Sequence, residues 1–335
     1  NRLWKNIFWT QRANLMSVPT DCPQRDERLG WTGDILAYAP TASYFMDMAA
    51  FYTKWMPDMR DAQAVFGAYP DFAPHPYGKD RHFTSAPGWG DAGVGVPHTH
   101  YRFYGDTRLV REHHASMAKY LDYVLSRNPD GLWLKDRRND YGDWLNGDTL
   151  VREGYPRTGA EAPKEVFATL VLYRSLAQMA ELSKAIGRPH QRWLNEAAKV
   201  AAAFKTAYVD AEGKIKGDTQ AGYAMALAWD ILAPADQDRA FAHLVRAVNA
   251  RNDHLSTGLH STEPLMTVLT ERGRSDLAYK ILMNDTFPSW GYTISNGATT
   301  IWERWDGFVK GRGFQDPGMN SFNHWALGSV GQWMM

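Results

Sequence analysis

Apolar residues recur at three- and four-residue steps along most of the chain, the spacing that collects them on one face of an α-helix. The segments "DILAYAPTASYFMDMAAFYTKWM" (34–56), "DTRLVREHHASMAKYLDYVLS" (106–126) and "KEVFATLVLYRSLAQMAELSKAI" (164–186) carry this pattern at length. "HQRWLNEAAKVAAAFKTAYV" (190–209), "GYAMALAWDIL" (222–232) and "DQDRAFAHLVRAV" (236–248) continue it. The punctuation agrees: Asp106 and Asp236 are candidate N-caps, Gly187 closes one helix, and Pro189 opens the next. The pattern predicts about twelve helical segments, joined by alternating short and long connections. Alternating strand patterns are scarce, and "GKIKGD" (213–218), on a surface excursion, is the best candidate. No repeat, charge block or low-complexity run divides the sequence, so residues 1–335 read as a single all-α domain.

The long connections, 17–33, 67–92, 128–162, 251–262 and 286–300, hold the chemically unusual residues. Structureless loops of that length in a compact domain are usually functional. If successive helices alternate direction, these loops gather at one end. That would bring "RDERLGWTGD", "GWGDAG", "YGDWLN" and "IWERW" to a common rim.

Composition narrows the chemistry. Lys plus Arg and Asp plus Glu both number 37, a balance with no electrostatic footprint for nucleic acid or an anionic membrane. No apolar run approaches the roughly 20 residues needed to span a bilayer. Cys22 is the only cysteine, which excludes an internal disulfide. Aromatic residues reach 13%, with 14 Trp, and such an excess without a basic excess suits stacking against a neutral partner such as a sugar face. Phosphate-loop, dinucleotide and nucleophile-elbow motifs are absent. His98, His100 and the His113–His114 pair lack metal-site spacing, so no metal or other cofactor is expected. The chain opens on Asn1 and stops in "GQWMM", the aspect of a catalytic core cut from a longer polypeptide.

Two glutamates stand among aromatic and cationic neighbours: Glu27 in "QRDERLGW", and Glu303 in "TTIWERWDG" between Trp302 and Arg304. Glycoside hydrolysis needs such a pair, one acid to protonate the leaving oxygen and one carboxylate to act as base or nucleophile. A nearby indole or apolar wall raises a carboxyl pKa by desolvation and keeps the acid protonated. Both glutamates serve equally well, on local sequence, as ion-pair partners of the adjacent arginines. Asp21, Arg25 and Asp34 suit sugar hydroxyls, which both donate and accept. Asp34 is also a candidate N-cap of the second helix. "GWGD" (Trp89, Asp91) and "YGDWL" (Asp143, Trp144) repeat the coupling of indole with carboxylate, and His324 in "NSFNHWALGS" stands at the start of the last helix.

With these residues in view, "SVPTDCPQRDERLGWTGD" (17–34) resembles the signature of the α-L-rhamnosidases of glycoside hydrolase family 78. "GWGDAG", "YGDWL", "ATTIWERWDG" and "NSFNHWALGSVGQW" follow in that family's order, so the likeness spans nearly the whole chain. The resemblance implies an (α/α)6 barrel with functional loops at one rim, an L-rhamnoside as carbohydrate substrate, and accessory β-sandwich domains in the parent chain. It implies Glu27 as general acid and Glu303 as general base of an inverting hydrolysis. Asp21, Arg25 and Asp34 fall on positions that hold rhamnose hydroxyls, Trp31, Trp89 and Trp144 on aromatic walls, and His324 on a polar contact. Asp91, Asp143 and Trp302 fall within the motifs as further substrate-binding candidates; Glu165, where relatives often carry another acid, is left outside the set. The alternatives are a related barrel glycosidase for another neutral sugar, a polysaccharide lyase and a non-catalytic sugar-binding domain.

Overall fold

The computed structural model describes residues 2–77, 82–145, 162–315 and 321–335. Thirteen α-helices follow one another among them. The first seven are α1 (Arg2–Asn14), α2 (Thr32–Phe45), α3 (Ala49–Asp61), α4 (Ala92–Tyr104), α5 (Arg108–Arg127), α6 (Lys164–Ala185) and α7 (Gln191–Tyr208). The rest are α8 (Gln220–Ala228), α9 (Pro234–Asn249), α10 (Thr262–Glu271), α11 (Ser275–Met283), α12 (Trp290–Ser295) and α13 (Val330–Met334). A 3₁₀ turn, Ala326–Ser329, leads into α13, and Phe308–Val309 pairs antiparallel with Gly313–Phe314 in a small hairpin.

The sequence separates these helices into two kinds. Helix α9 buries Asp236, Ala240, Leu244 and Val248, one residue in four along a single stripe, as a helix on the outside of a core does. Helix α8 buries every residue from Gln220 to Leu227, and α4 every residue from Ala92 to Pro97, as only a helix surrounded by others can. The packing follows. Helix α2 contacts α4, α4 contacts α6, α6 contacts α8, and α8 contacts α10; α10 meets the 3₁₀ turn and α13, which return to α2. This closed inner ring is backed by α3, α5, α7, α9 and α11, each lying against a neighbouring inner helix. The expected (α/α)6 barrel is therefore present.

Every long connection leads into an inner helix. Residues 15–31 precede α2, 62–91 precede α4, 250–261 precede α10, and 296–325 precede the 3₁₀ turn and α13. The returns to the outer layer are short, as between α4 and α5 or α10 and α11. The loops thus collect at the N-terminal ends of the inner helices, the positive end of each helix dipole. Part of 128–162, including Asn146 of "YGDWLN", lies outside the described residues.

Four local expectations need correction. Residues 286–300 are not a structureless connection, because Trp290–Ser295 form α12, capped by the Ser289 hydroxyl, which accepts the Tyr292 amide at 2.9 Å. Residues 34–56 form two helices, because Met46 turns extended and Asp47 accepts the Ala49 amide at 3.0 Å to start α3. Residues 213–218 form no strand; Ile215 makes one bridge to Val209 and closes a turn after α7. Asp236 is not a cap: Pro234 opens α9, and Asp236 pairs with Lys205 at 2.6 Å and Arg239 at 2.5 Å. Asp106 does accept the first-turn amide of Arg108, at 2.8 Å. No helix among the described residues is long and apolar enough to cross a membrane.

Candidate active site

The loop before α2 is built to present charge. Asn14, at the end of α1, donates its side-chain amide to the Asp21 carbonyl (2.8 Å), and the Asp21 amide reaches the Leu29 carbonyl (3.1 Å). Between these ties the chain turns through Arg28, whose φ is +54°. Gly30 then runs against residue 73, accepting the Ala73 amide at 3.0 Å, and a Cβ on Gly30 would lie 2.4 Å from the Ala73 carbonyl oxygen. Only glycine permits that approach.

A cavity of about 240 Å³ opens at the rim. Asp21, Arg25, Glu27, Trp31, Asp34, Trp89, Trp144, Glu303 and His324 all line it, together with Phe83 and Tyr141, which sequence reasoning did not single out. Glu27 and Glu303, far apart in the chain, are joined by one guanidinium. Arg25 Nη2 lies 2.6 Å from Glu27 Oε2 and 3.6 Å from Glu303 Oε2. The two facing oxygens are thus no more than about 6 Å apart, close enough for both glutamates to act on one glycosidic bond.

The two glutamates differ in surroundings. Glu27 is partly exposed and accepts from Arg25 Nε at 2.9 Å and from Trp31 Nε1 at 2.8 Å. The indole therefore meets it with its donor edge, where sequence reasoning expected a desolvating wall. Glu303 is the desolvated one. Burial pushes its carboxyl above the ordinary range, against the opposing pull of His324, Arg25 and the Ser321 amide, which it accepts at 3.1 Å.

Asp34 occupies the first turn of α2 and is not its cap; Trp31 holds that position. Asp34 Oδ1 instead meets His324 Nε2 at 2.9 Å. Burial alone would lower the His324 imidazole, but Asp34, Glu303 and Asp21 outweigh it and raise its pKa to about 9. The Ala326 amide reaches His324 Nδ1 at only 3.4 Å, too distant to fix a neutral ring against three carboxylates. Asp21 is also buried, its carboxyl raised by burial and by Glu27 and Asp34, and its Oδ1 has no hydrogen-bond partner among the described residues.

Aromatic rings supply much of the remaining lining. Tyr141 is their hub, with centroids 4.5 Å from Trp89, 5.7 Å from Trp31 and 6.1 Å from Trp144. Such pairs favour edge-to-face or offset contact and rigidify one another.

Asp91, Asp143 and Trp302 do not line the cavity. Asp91 is buried and accepts from Ser175 Oγ (2.7 Å) and the Gly88 amide (2.9 Å), fixing the loop that carries Trp89 to α6. Asp143 accepts the Gly258 and His260 amides at 2.8 and 2.9 Å and the Ser261 hydroxyl, so it clamps the Trp144 loop to the loop before α10. Buried carboxylates tolerate burial only with such donors. Trp302 packs edge-on against Phe322. Glu165 pairs with Lys216 at 2.8 Å.

Asp21, Cys22 and His324 bring an oxygen, a sulfur and a nitrogen within 4.8 Å of one another, a set that could surround a metal ion. Burial pushes the Cys22 thiol far up and His324 is held protonated, so both would first have to release a proton.

An inner ring of helices whose rim loops converge on paired carboxylates and a tryptophan wall defines the class of helical-barrel glycosidases. Residues 1–335 match the family model described as the bacterial α-L-rhamnosidase six-hairpin glycosidase domain, and the chain belongs to that family. It is 45% identical over 334 residues to an α-L-rhamnosidase of Streptomyces avermitilis, covering all of this chain and 31% of that protein. It is 35% identical over 341 residues to one from Formosa agariphila, covering all of this chain and 35% of the relative. The crystal structure of the Streptomyces avermitilis α-L-rhamnosidase complexed with L-rhamnose superposes with a TM-score of 0.91 at 43% identity, over all of this chain and 31% of that one. The chain thus spans about a third of the length of these relatives.

Proposed function

We propose that this domain hydrolyses terminal α-L-rhamnosides with inversion at the anomeric carbon. The observation that carries the reading is Arg25 Nη2 reaching both Glu27 and Glu303 inside a cavity that polar and aromatic side chains line together. Glu27 gives its proton to the glycosidic oxygen as the C1–O bond breaks. Glu303 removes a proton from a water on the opposite face, and that water's oxygen bonds to C1. A general base works best with a pKa drawn toward the working pH, as burial does for Glu303, and His324 and Arg25 keep it ionised. Asp21, with its unpartnered oxygen, and Asp34 accept sugar hydroxyls.

The sugar is assigned from the relatives and suits the site: L-rhamnose is neutral and its C6 is a methyl group, which indole and phenol rings accommodate. The test is proton NMR of an α-L-rhamnoside during turnover. β-L-Rhamnose appearing first is the expected result, and first-formed α-L-rhamnose overturns inversion. Glu303→Ala should stop turnover while the helical fold persists; near-normal kcat in that variant places the base elsewhere. Release of an unsaturated, ultraviolet-absorbing product would identify a lyase. Binding of L-rhamnose without hydrolysis would identify a sugar-binding domain.

A further inference from the structure

Asp71 is fully buried, contributes no atom to the cavity lining, and is absent from every motif discussed above. Its contacts are nonetheless concentrated on the site. Oδ2 accepts from the Tyr141 hydroxyl at 3.0 Å and from Asn139 Nδ2 at 3.1 Å, while Oδ1 accepts the Ala86 amide at 3.2 Å. Its carbonyl accepts the Thr32 amide and hydroxyl, both at 2.9 Å, and its amide reaches the Phe83 carbonyl at 2.8 Å. One residue therefore ties together the start of α2 and two rim loops. The Tyr141 hydroxyl, also reached by Asn139 Nδ2 at 2.9 Å, is occupied on the protein side, so the phenol is held at the centre of Trp31, Trp89 and Trp144.

We propose that Asp71 is a positioning residue: by anchoring the Tyr141 hydroxyl it locks the aromatic wall against which the sugar binds. The inference rests on the rhamnosidase reading for the identity of the sugar, and on geometry alone for the anchoring. A charged acceptor holds a phenol more strongly than a neutral one, so protonation of Asp71 should loosen the wall. Burial raises its pKa to about 6, against the opposing hydrogen bonds of Ala86, Asn139 and Tyr141. The titratable groups facing the pair are Tyr120 of α5, toward Asp71, and Asp34 of α2, toward Tyr141. Glu303 also titrates in the cavity, so the comparison that isolates Asp71 is wild type against Asp71→Asn.

The experiment combines kinetics on p-nitrophenyl α-L-rhamnoside with binding of free L-rhamnose and 19F NMR of protein carrying 3-fluorotyrosine. The Tyr141 resonance is identified by its loss in Tyr141→Phe. Asp71→Asn should raise KM and the L-rhamnose Kd about tenfold with kcat changed less than about twofold, the signature of lost binding shared by ground and transition states. Tyr141→Phe should move both the same way, and the double variant should be no worse than Asp71→Asn alone, because the two act through one contact. In wild type the Tyr141 resonance should shift as pH falls through about 6, and in Asp71→Asn it should not. Wild-type-like KM in Asp71→Asn, additive effects in the double variant, or a Tyr141 resonance that shifts alike in both proteins would each overturn the proposal. If Asp71→Asn fails to fold, Tyr141→Phe, which leaves the other Asp71 bonds in place, decides through KM. A wild type that neither binds L-rhamnose nor cleaves the rhamnoside overturns the assigned function instead, and the 19F titration still tests the anchoring.

Discussion

Glu27 and Glu303 are the same residue type in opposite settings. Glu27 sits partly exposed between Arg25 and the Trp31 N–H, whereas Glu303 is buried against a backbone amide. On the proposed mechanism Glu27→Gln removes the proton donor and keeps its shape. Turnover of a rhamnose disaccharide should fall by roughly 10²–10⁴-fold, the usual contribution of a positioned acid. A p-nitrophenyl rhamnoside leaves well without protonation, so its loss should be distinctly smaller. Equal losses on the two substrates would argue that Glu27 is no acid. Both glutamates were visible in the sequence because cations and indoles flank them within a few positions. Tyr141, Phe83 and Asp71 were not, although Tyr141 belongs to "YGDWL". Its partners Trp31, Trp89 and Asp71 come from other loops, and only folding shows that its ring is shared among them.

Between elements, close approach decides. Gly33 lies in the first turn of α2, and a Cβ there would come within 2.5 Å of the Trp89 indole from the loop before α4. Tyr141 and His260 pack on that indole with centroids 4.5 and 5.2 Å away, and the Asp91 bonds to Gly88 and Ser175 hold its loop, so the ring resists turning aside. Gly33→Ala should therefore cost about 1–3 kcal/mol by overpacking and, by displacing Trp89, raise KM for a rhamnoside. Urea unfolding and steady-state kinetics measure the two effects; an unchanged unfolding midpoint would mean that α2 and the Trp89 loop slide apart freely. Helix positions were legible because burial writes a periodicity into the sequence: one stripe for α9, apolar residues all round for α8. The break between α2 and α3 was hidden, because "SYFMDMAA" keeps an apolar rhythm through the turn and only Asp47 marks the new start. In the sequence an aspartate beside an indole looks alike as a sugar contact and as a loop clamp, so Asp91 and Asp143 stand among the substrate-binding candidates. Their backbone partners, Gly88 for one and Gly258 and His260 for the other, are invisible until the loops meet.

For the molecule as a whole, the decisive seam is where the last inner element returns to the first. Thr41 of α2 donates to the Ser329 carbonyl and accepts the Gln332 amide, both at 2.8 Å, and Tyr38 stacks on Trp325 with centroids 5.3 Å apart. At the rim end of this seam the buried His324–Asp34 pair links residues nearly 300 positions apart. It serves ring closure and the site's electrostatics at once. The sign of its pH dependence follows from linkage. The folded pKa of His324, about 9, lies above the unfolded value near 6.5, so the folded state binds the proton more tightly. The pair's stabilisation is then fully present below about pH 6.5 and is lost as pH rises through about 9. His324→Gln keeps a donor but no charge. The stability gap between wild type and this variant, measured by chemical denaturation at several pH values, should be widest near pH 6 and narrow steadily up to about pH 9.5. A gap that stays constant, or widens with pH, would mean that His324 closes the ring as a neutral hydrogen-bond donor, and Glu303 would then have to be held ionised by Arg25 and the Ser321 amide alone.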